Sequence, residues 1–182
     1  IVLNPTAARG KAGRIFPQLL SMLHEVGIKT LVEITERPGH GDMLAARLAR
    51  KGVDAVVSAG GDGTLNEVLN GLANLNFPVP MGALGIGTGN DFLKSAGTAK
   101  DLLKQVEVIK QGNIKLLDLM RITYCDFGGN TAVRYSINDF GVGFPAKVSF
   151  RVNNMKGALK GAWSYAAAVI TEIRLNKPVQ LK

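Results

Sequence analysis

The sequence predicts an α/β fold, an open and mostly parallel sheet with helices on both faces, running into a β-rich unit. Three observations carry that prediction. Short apolar runs alternate with helix-spaced apolar residues over residues 1–117. Each apolar run ends in a loop rich in Gly, Asn, Asp and Thr. Beyond residue 117 the period falls to two, with a glycine-rich turn between two alternating stretches. The organisation expected is an α/β domain over 1–117 and an incomplete β-rich domain over 118–182.

The elements follow in order. "IVLN" opens the chain as a short strand, and "AGRIFPQLLSMLHEVG" places Ile15, Leu19, Leu20, Leu23 and Val26 on one helical face before Gly27 stops it. "IKTLVEIT" alternates and is β-branched, so it reads as the second strand. "GDMLAARLARKG" is a helix closed by Gly52; "VDAVVSAGG" is a strand that runs into glycines; "TLNEVLNGLANL" is the next helix. A fourth strand, "PVPMGALGIG", leads through "TGNDF" to the helical "TAKDLLKQVEVIKQG". "KLLDLMRITY" and "TAVRYSINDFGVG" then form antiparallel strands about the "DFGGN" turn, and "GAWSYAAAVITEIR" returns to helix with Trp163, Ala167 and Ile170 as its buried stripe.

Composition narrows the class. With 46% hydrophobic and 20% charged residues the chain has the balance of a folded globular protein. No apolar run approaches the roughly 18–20 residues a membrane helix needs. The single cysteine, Cys125, excludes an internal disulfide, fits a reducing, cytoplasmic compartment, and reads as an inert, partly buried residue. The net charge of +8 is uneven: residues 119–182 hold 9 Lys and Arg against 3 Asp and Glu. A basic segment of this kind suits an anionic partner. Nucleic acid is the weakest such partner, because no interleaved aromatics or recognition module accompany the charge. The start at Ile1, inside a strand and without Met, reads as a fragment boundary.

In a parallel sheet, ligands bind beyond the carboxyl ends of the strands. Four loops are expected to meet there: Asn4–Gly10, Thr35–Gly39, Gly60–Thr64 and Gly87–Asp91. The third poses a question. "SAGGDGTLNEVLNG" surrounds Asp62 with three glycines at the start of a helix, where backbone N–H groups attract phosphate and a carboxylate repels it. A carboxylate there is costly unless it holds a cation or takes a proton, as phosphoryl transfer requires. Thr64 as a helix cap with Glu67 three residues later reads as a capping box. Asp91 of "GTGND" is the second acidic candidate. His24, on a helix, and His40, beside glycines, read as solvated surface. The chain has no G-x-x-x-x-G-K-[ST] loop, and "GIGTG" lacks the downstream acidic partner of a dinucleotide fingerprint.

"NPTAARGKAG", "GGDGTLNEVLNGL" and "GTGNDF", in that order, resemble the diacylglycerol kinase catalytic domain family, which includes soluble bacterial lipid kinases, sphingosine kinases and ceramide kinases. "NDFGVGFPAKV" is similar to that family's glycine-rich strand and turn, and "MKGALKGAWSYAAAVI" to its basic segment and following helix. GGDGT alone is shared with NAD kinases; with a downstream GTGNDF it is far more specific. The resemblance implies an NAD kinase-like α/β domain for ATP and Mg²⁺ and part of a C-terminal β-sandwich. It implies nucleotide contacts at Asn4, Thr35, Gly60, Gly61, Asp62, Gly63, Thr64, Leu65, Asn66 and Thr88, with Asp62 and Asp91 as catalytic candidates.

The resemblance further implies transfer of a γ-phosphate to a lipid hydroxyl, most readily that of diacylglycerol. It implies a peripheral enzyme that visits an anionic membrane surface, with Lys147, Arg151, Lys156 and Lys160 as its landing charges. Two departures stand out: Pro145 replaces the Asp of "GFDA", and the family's later catalytic glutamate lies beyond residue 182. The alternatives are NAD kinase-like phosphorylation of a soluble hydroxyl and a nucleotide- or lipid-binding fragment without catalysis.

Overall fold

The computed structural model describes residues 1–97, 101–126, 128–155 and 162–175. The chain divides into two compact units, Ile1–Asn138 and Asp139–Lys182.

In the first unit, β1 (Val2–Leu3), β2 (Glu33–Ile34), β3 (Val56–Gly60) and β4 (Met81–Gly85) form one parallel sheet in the order β2-β1-β3-β4. Adjacent residues of a strand face opposite sides, and that rule builds two cores here. Leu3 and Val57 face α1 (Ala7–Glu25) and α5 (Leu102–Gln111), packing with Phe16, Leu19, Leu23, Leu84 and Val106. Val2 and Val56 face the other way, onto Leu44 and Leu48 of α2 (His40–Arg50) and Val68 and Leu72 of α3 (Asp62–Ala73). Every residue of β3 is buried, as befits a central parallel strand covered on both faces. Asp101 caps α5 by accepting from Leu103 N–H, and Gly112 stops it in the left-handed region.

The boundaries differ from the sequence reading where pairing decides them. The strand expected over residues 28–35 is reduced to Glu33–Ile34, because its sole partner, β1, is itself two residues long. The helix expected from Thr64 begins at Asp62. The short α4 (Asp91–Ser95) follows the fourth loop. The hairpin of β5 (Met120–Cys125) and β6 (Thr131–Ser136) is antiparallel as expected and belongs to the first unit. The change of pattern at residue 118 therefore marks the passage from parallel β/α repeats to this hairpin, while the chain divides later, after Asn138. Cys125 is exposed, not partly buried, because Ile122 alone in β5 is even partly covered.

In the second unit, residues expected as glycine-rich strand and turn form helix α6 (Phe144–Asn154). Gly143 at φ 72° turns the chain, and Pro145 sits in the first turn, where its locked φ suits a helix and its missing N–H costs nothing. Helix α7 (Ala162–Leu175) packs on α6, and each helix has a fully buried apolar residue, Val148 on α6 and Ala168 on α7. Arg151 Nε donates to Glu172 Oε1 at 2.5 Å, which matches a carboxylate only 8% exposed. Among the described side chains of α7 the buried positions are Ala168 and Glu172, four apart; of the expected stripe, Ala167 is half-buried and Ile170 is exposed. Among the described residues no helix is long and apolar enough to cross a membrane.

Candidate active site

The four loops do meet at the carboxyl edge of the sheet, and hydrogen bonds tie them into one surface. Asn4 N–H donates to Ala59 O at 2.9 Å, carrying the first loop past β1 alongside β3. Its side chain then bridges two loops: Nδ2 donates to Thr64 Oγ1 at 3.1 Å, and Oδ1 accepts from Thr6 N–H and Thr6 Oγ1–H at 3.1 and 2.8 Å. Beyond it, Ala8 and Arg9 are held left-handed at φ 49° and 59° ahead of Gly10 at 80°. For residues with a Cβ this costs about 1–2 kcal/mol each, strain of the kind that gathers at functional loops. Ile86 and Gly87 N–H both reach Gly60 O at 2.9 Å, closing the fourth loop on the third.

At the centre lies the start of α3. Its N-cap, Gly61, carries no side chain, so no side-chain cap satisfies the first-turn N–H groups. A Cβ on Gly87 would strike the Gly61 backbone, which explains two glycines by close approach. Gly63 is different: a Cβ there would meet nothing within 4 Å. The fold itself makes no steric demand for glycine at Gly63, and the space beside this helix start is open. Asp62 is the first residue of the helix, and its Oδ1 accepts from Phe92 N–H and Asn138 Nδ2–H, both at 3.2 Å. Oδ2 points the other way, 2.9 Å from where a Cβ on Gly89 would stand, and Asp91 Oδ2 lies 3.4 Å from the same point. The two carboxylates thus flank Gly89. Asp91 also pairs with Lys94 at 2.7 Å, and the cap of α4 is Asn90 rather than Asp91.

The capping box expected of Thr64 and Glu67 does not form, because the helix starts two residues earlier and Thr64 Oγ1 is turned to Asn4. Glu67 serves another helix. Its carboxylate accepts from Gly39 N–H at 2.7 Å and Gly41 N–H at 2.8 Å, capping α2 from outside and tying the second loop to α3. Charge-assisted bonds of this kind contribute about 1.5–3 kcal/mol each at most, less here for partial exposure. Glu67→Ala is expected to lower stability by about 1–3 kcal/mol in urea denaturation; an unchanged midpoint would show that the cap contributes nothing.

The hairpin joins the same surface through α3. Buried Asn70 accepts Tyr135 N–H at 2.8 Å and donates to Tyr135 O at 2.9 Å, pairing with β6 as a neighbouring strand would. Asn66 Nδ2 donates to the same carbonyl at 3.3 Å. Arg134 pairs with Asp42 at 2.5 Å, yet burial still holds the Asp42 carboxyl above its ordinary range, with Glu67 nearby adding to the effect.

Asn4, Gly60, Gly61, Asp62, Gly63, Thr64 and Asp91 therefore come together. Thr88 is exposed on the fourth loop, and Thr35 is nearly covered, its N–H donating to Leu3 O at 2.8 Å. Leu65 faces the interior, and the Asn66 side chain is engaged by the hairpin. His24 is exposed beside Thr30, while His40 is half-buried and accepts Glu36 N–H through Nδ1. The sequence reading missed Asn138 and the role of Glu67; no local pattern announces a contact 76 residues away in sequence. An apolar cavity of about 560 Å³ opens among Leu23, Ile28, Leu31, Leu48 and Ile109, at the opposite edge of the sheet from all four loops.

Residues 1–122 match the family model described as diacylglycerol kinase catalytic domain. A diacylglycerol kinase of Staphylococcus saprophyticus is 31% identical over 165 residues, 91% of this chain and 51% of that protein. One from Staphylococcus haemolyticus is 31% identical over 182 residues, 100% of this chain and 52% of that protein. The crystal structure of a diacylglycerol kinase from Bacillus anthracis strain Sterne superposes with a TM-score of 0.58 at 26% identity, covering 65% of this chain and 43% of that one. The chain spans about half the length of the curated relatives it matches.

Proposed function

The chain belongs to the diacylglycerol kinase catalytic domain family, and from that premise we propose that it is the nucleotide-binding part of an ATP-dependent lipid kinase acting on a diacylglycerol-like hydroxyl. The observation that carries this reading is Asp62 at the uncapped start of α3. One oxygen is held by two donors, and the other is turned toward Gly89 and Asp91.

The glycine loop supplies what a triphosphate needs. First-turn N–H groups of α3 present partial positive charge, and open space above Gly63 admits phosphate oxygens to the backbone. Asn4 ties the first loop to Thr64, one residue beyond Gly63. Mg²⁺ is a hard cation that takes one or two carboxylates alongside phosphate oxygens. Asp62 and Asp91, acidic side chains flanking one small space, fit that demand and are the residues that would hold it. When bound, Mg²⁺ supplies charge neutralisation of the triphosphate. Asp62 Oδ2 is the atom that would accept the proton of the acceptor hydroxyl or ligate the cation.

The decisive test is a labelled-ATP assay of the full-length protein against diacylglycerol, monoacylglycerol, sphingosine, ceramide and NAD. Transfer to a lipid acceptor is expected; transfer to NAD alone would refute the lipid reading.

Peripheral attachment to an anionic membrane is the companion proposal. Of the landing charges, Lys147 and Arg151 lie on α6, where Arg151 is already paired with Glu172; Lys156, Lys160 and the Trp163 side chain lie outside the described residues. Replacing both Lys156 and Lys160 by Glu is expected to weaken vesicle binding by about 30-fold or more, at about 1 kcal/mol per lysine near the surface, with ATP affinity unchanged. Binding that ignores the anionic lipid fraction, or persists near molar salt, would remove the electrostatic role.

A further inference from the structure

We propose that Asn138 is a positioning residue for Asp62, delivered by the β5–β6 hairpin, and that it selects which oxygen of that carboxylate faces the reaction. This rests on the kinase reading of Asp62. The chain of contacts runs outward from α3. Asn70 clamps both backbone groups of Tyr135, and Arg134 reaches Asp42 on α2, so β6 is held at two successive residues. Phe77 stacks edge-on against the Tyr135 ring, with centroids 6.2 Å apart, and steadies the same point. At the next residue, Ser136 Oγ–H donates to Asn138 O at 3.1 Å and turns the chain back toward the sheet edge. The Asn138 amide then meets Asp62 Oδ1 at 3.2 Å.

The consequence is directional. Oδ1 receives two donors, Asn138 Nδ2–H and Phe92 N–H, from two separate stretches of the chain. A carboxylate gripped through one oxygen cannot rotate freely about its Cβ–Cγ bond, and its second oxygen becomes a fixed base or ligand. Phe92 belongs to α4, so its donor comes from the loop that carries Asp91. Asn138 adds a side-chain donor from the start of the "NDFGVG" stretch, outside both the GGDGT and the GTGND loops.

The test compares Asn138→Ala and Asn138→Asp in the full-length protein, alone and with Asp62→Asn. Removing a donor to a charged group is expected to lower kcat about 10-fold, with KM for ATP within about twofold. Asn138→Asp, though nearly isosteric, should be worse than Asn138→Ala, because it sets two carboxylates together. In the Asp62→Asn background neither change should add a further loss, as for groups that act as a unit. Thermal unfolding reads the same pair without catalysis. Asn138→Asp should lower Tm by about 2–4 °C, and Asp62→Asn should remove most of that loss. A filler role for Asn138 predicts the reverse, with Asp milder than Ala and losses that multiply, and that result would overturn the proposal. An unmodified protein that phosphorylates no acceptor, with the Tm coupling intact, would sink the kinase reading and still support the Asp62–Asn138 pair.

Discussion

Asp62→Asn in the full-length protein is expected to lower kcat by at least about 100-fold, the scale of a lost acid–base group, with folding nearly unchanged. The geometry explains both halves of that expectation. The amide oxygen of the substituted side chain would still accept from Phe92 N–H and Asn138 Nδ2–H, so the side chain would keep its place. The atom turned toward Gly89 would become an NH₂ group, which neither accepts a proton nor ligates a cation. Steady-state kinetics with labelled ATP, beside a thermal melt, measures both. Near-normal turnover would reduce Asp62 to a loop residue and remove the main support for the proposed chemistry.

Gly71→Ala is expected to destabilise the first unit by about 3 kcal/mol or more, the range of backbone-level overpacking. Intrinsic propensity favours the change, since alanine in a helix interior gains about 1 kcal/mol over glycine. Packing opposes it. An added Cβ would lie 2.8 Å from the Asp42 carbonyl carbon and 2.9 Å from Ala45 Cβ, closer still to the Asp42 oxygen. That neighbour is backbone, and the α2 turn it belongs to is pinned by Glu67 and Arg134. Steric cost should therefore exceed the propensity gain. Urea denaturation measures the balance; a neutral or stabilised variant would mean that α2 and α3 approach less closely than described.

Much of this was legible in the sequence because it rests on local rules. Leu19, Leu23, Leu44, Leu48, Val68 and Leu72 recur at helical spacing, and each is buried in one of the two cores. Glycine after the apolar strand Val56–Gly60 announced a tight passage into α3, and the parallel β/α order placed four loops at one edge. The length of β2 was not legible, since a strand extends only as far as its partner and β1 offers two residues. Nor was α6, where Gly143 and Pro145 read equally well as a turn and as a helix start until the packing of Val148 is known.

The sequence by itself determined the α/β class, the loop edge and Asp62 as the residue that needs a reason, because periodicity and turn chemistry act within a few residues. Only the tertiary structure decided what each polar side chain does. Glu67 caps α2 instead of its own helix, Asn70 stands in for a strand partner of β6, and Asn138 holds Asp62. Those assignments follow from which donors and acceptors meet across 26 to 76 residues of chain. A buried polar group must be paired, but its sequence neighbourhood does not say with what.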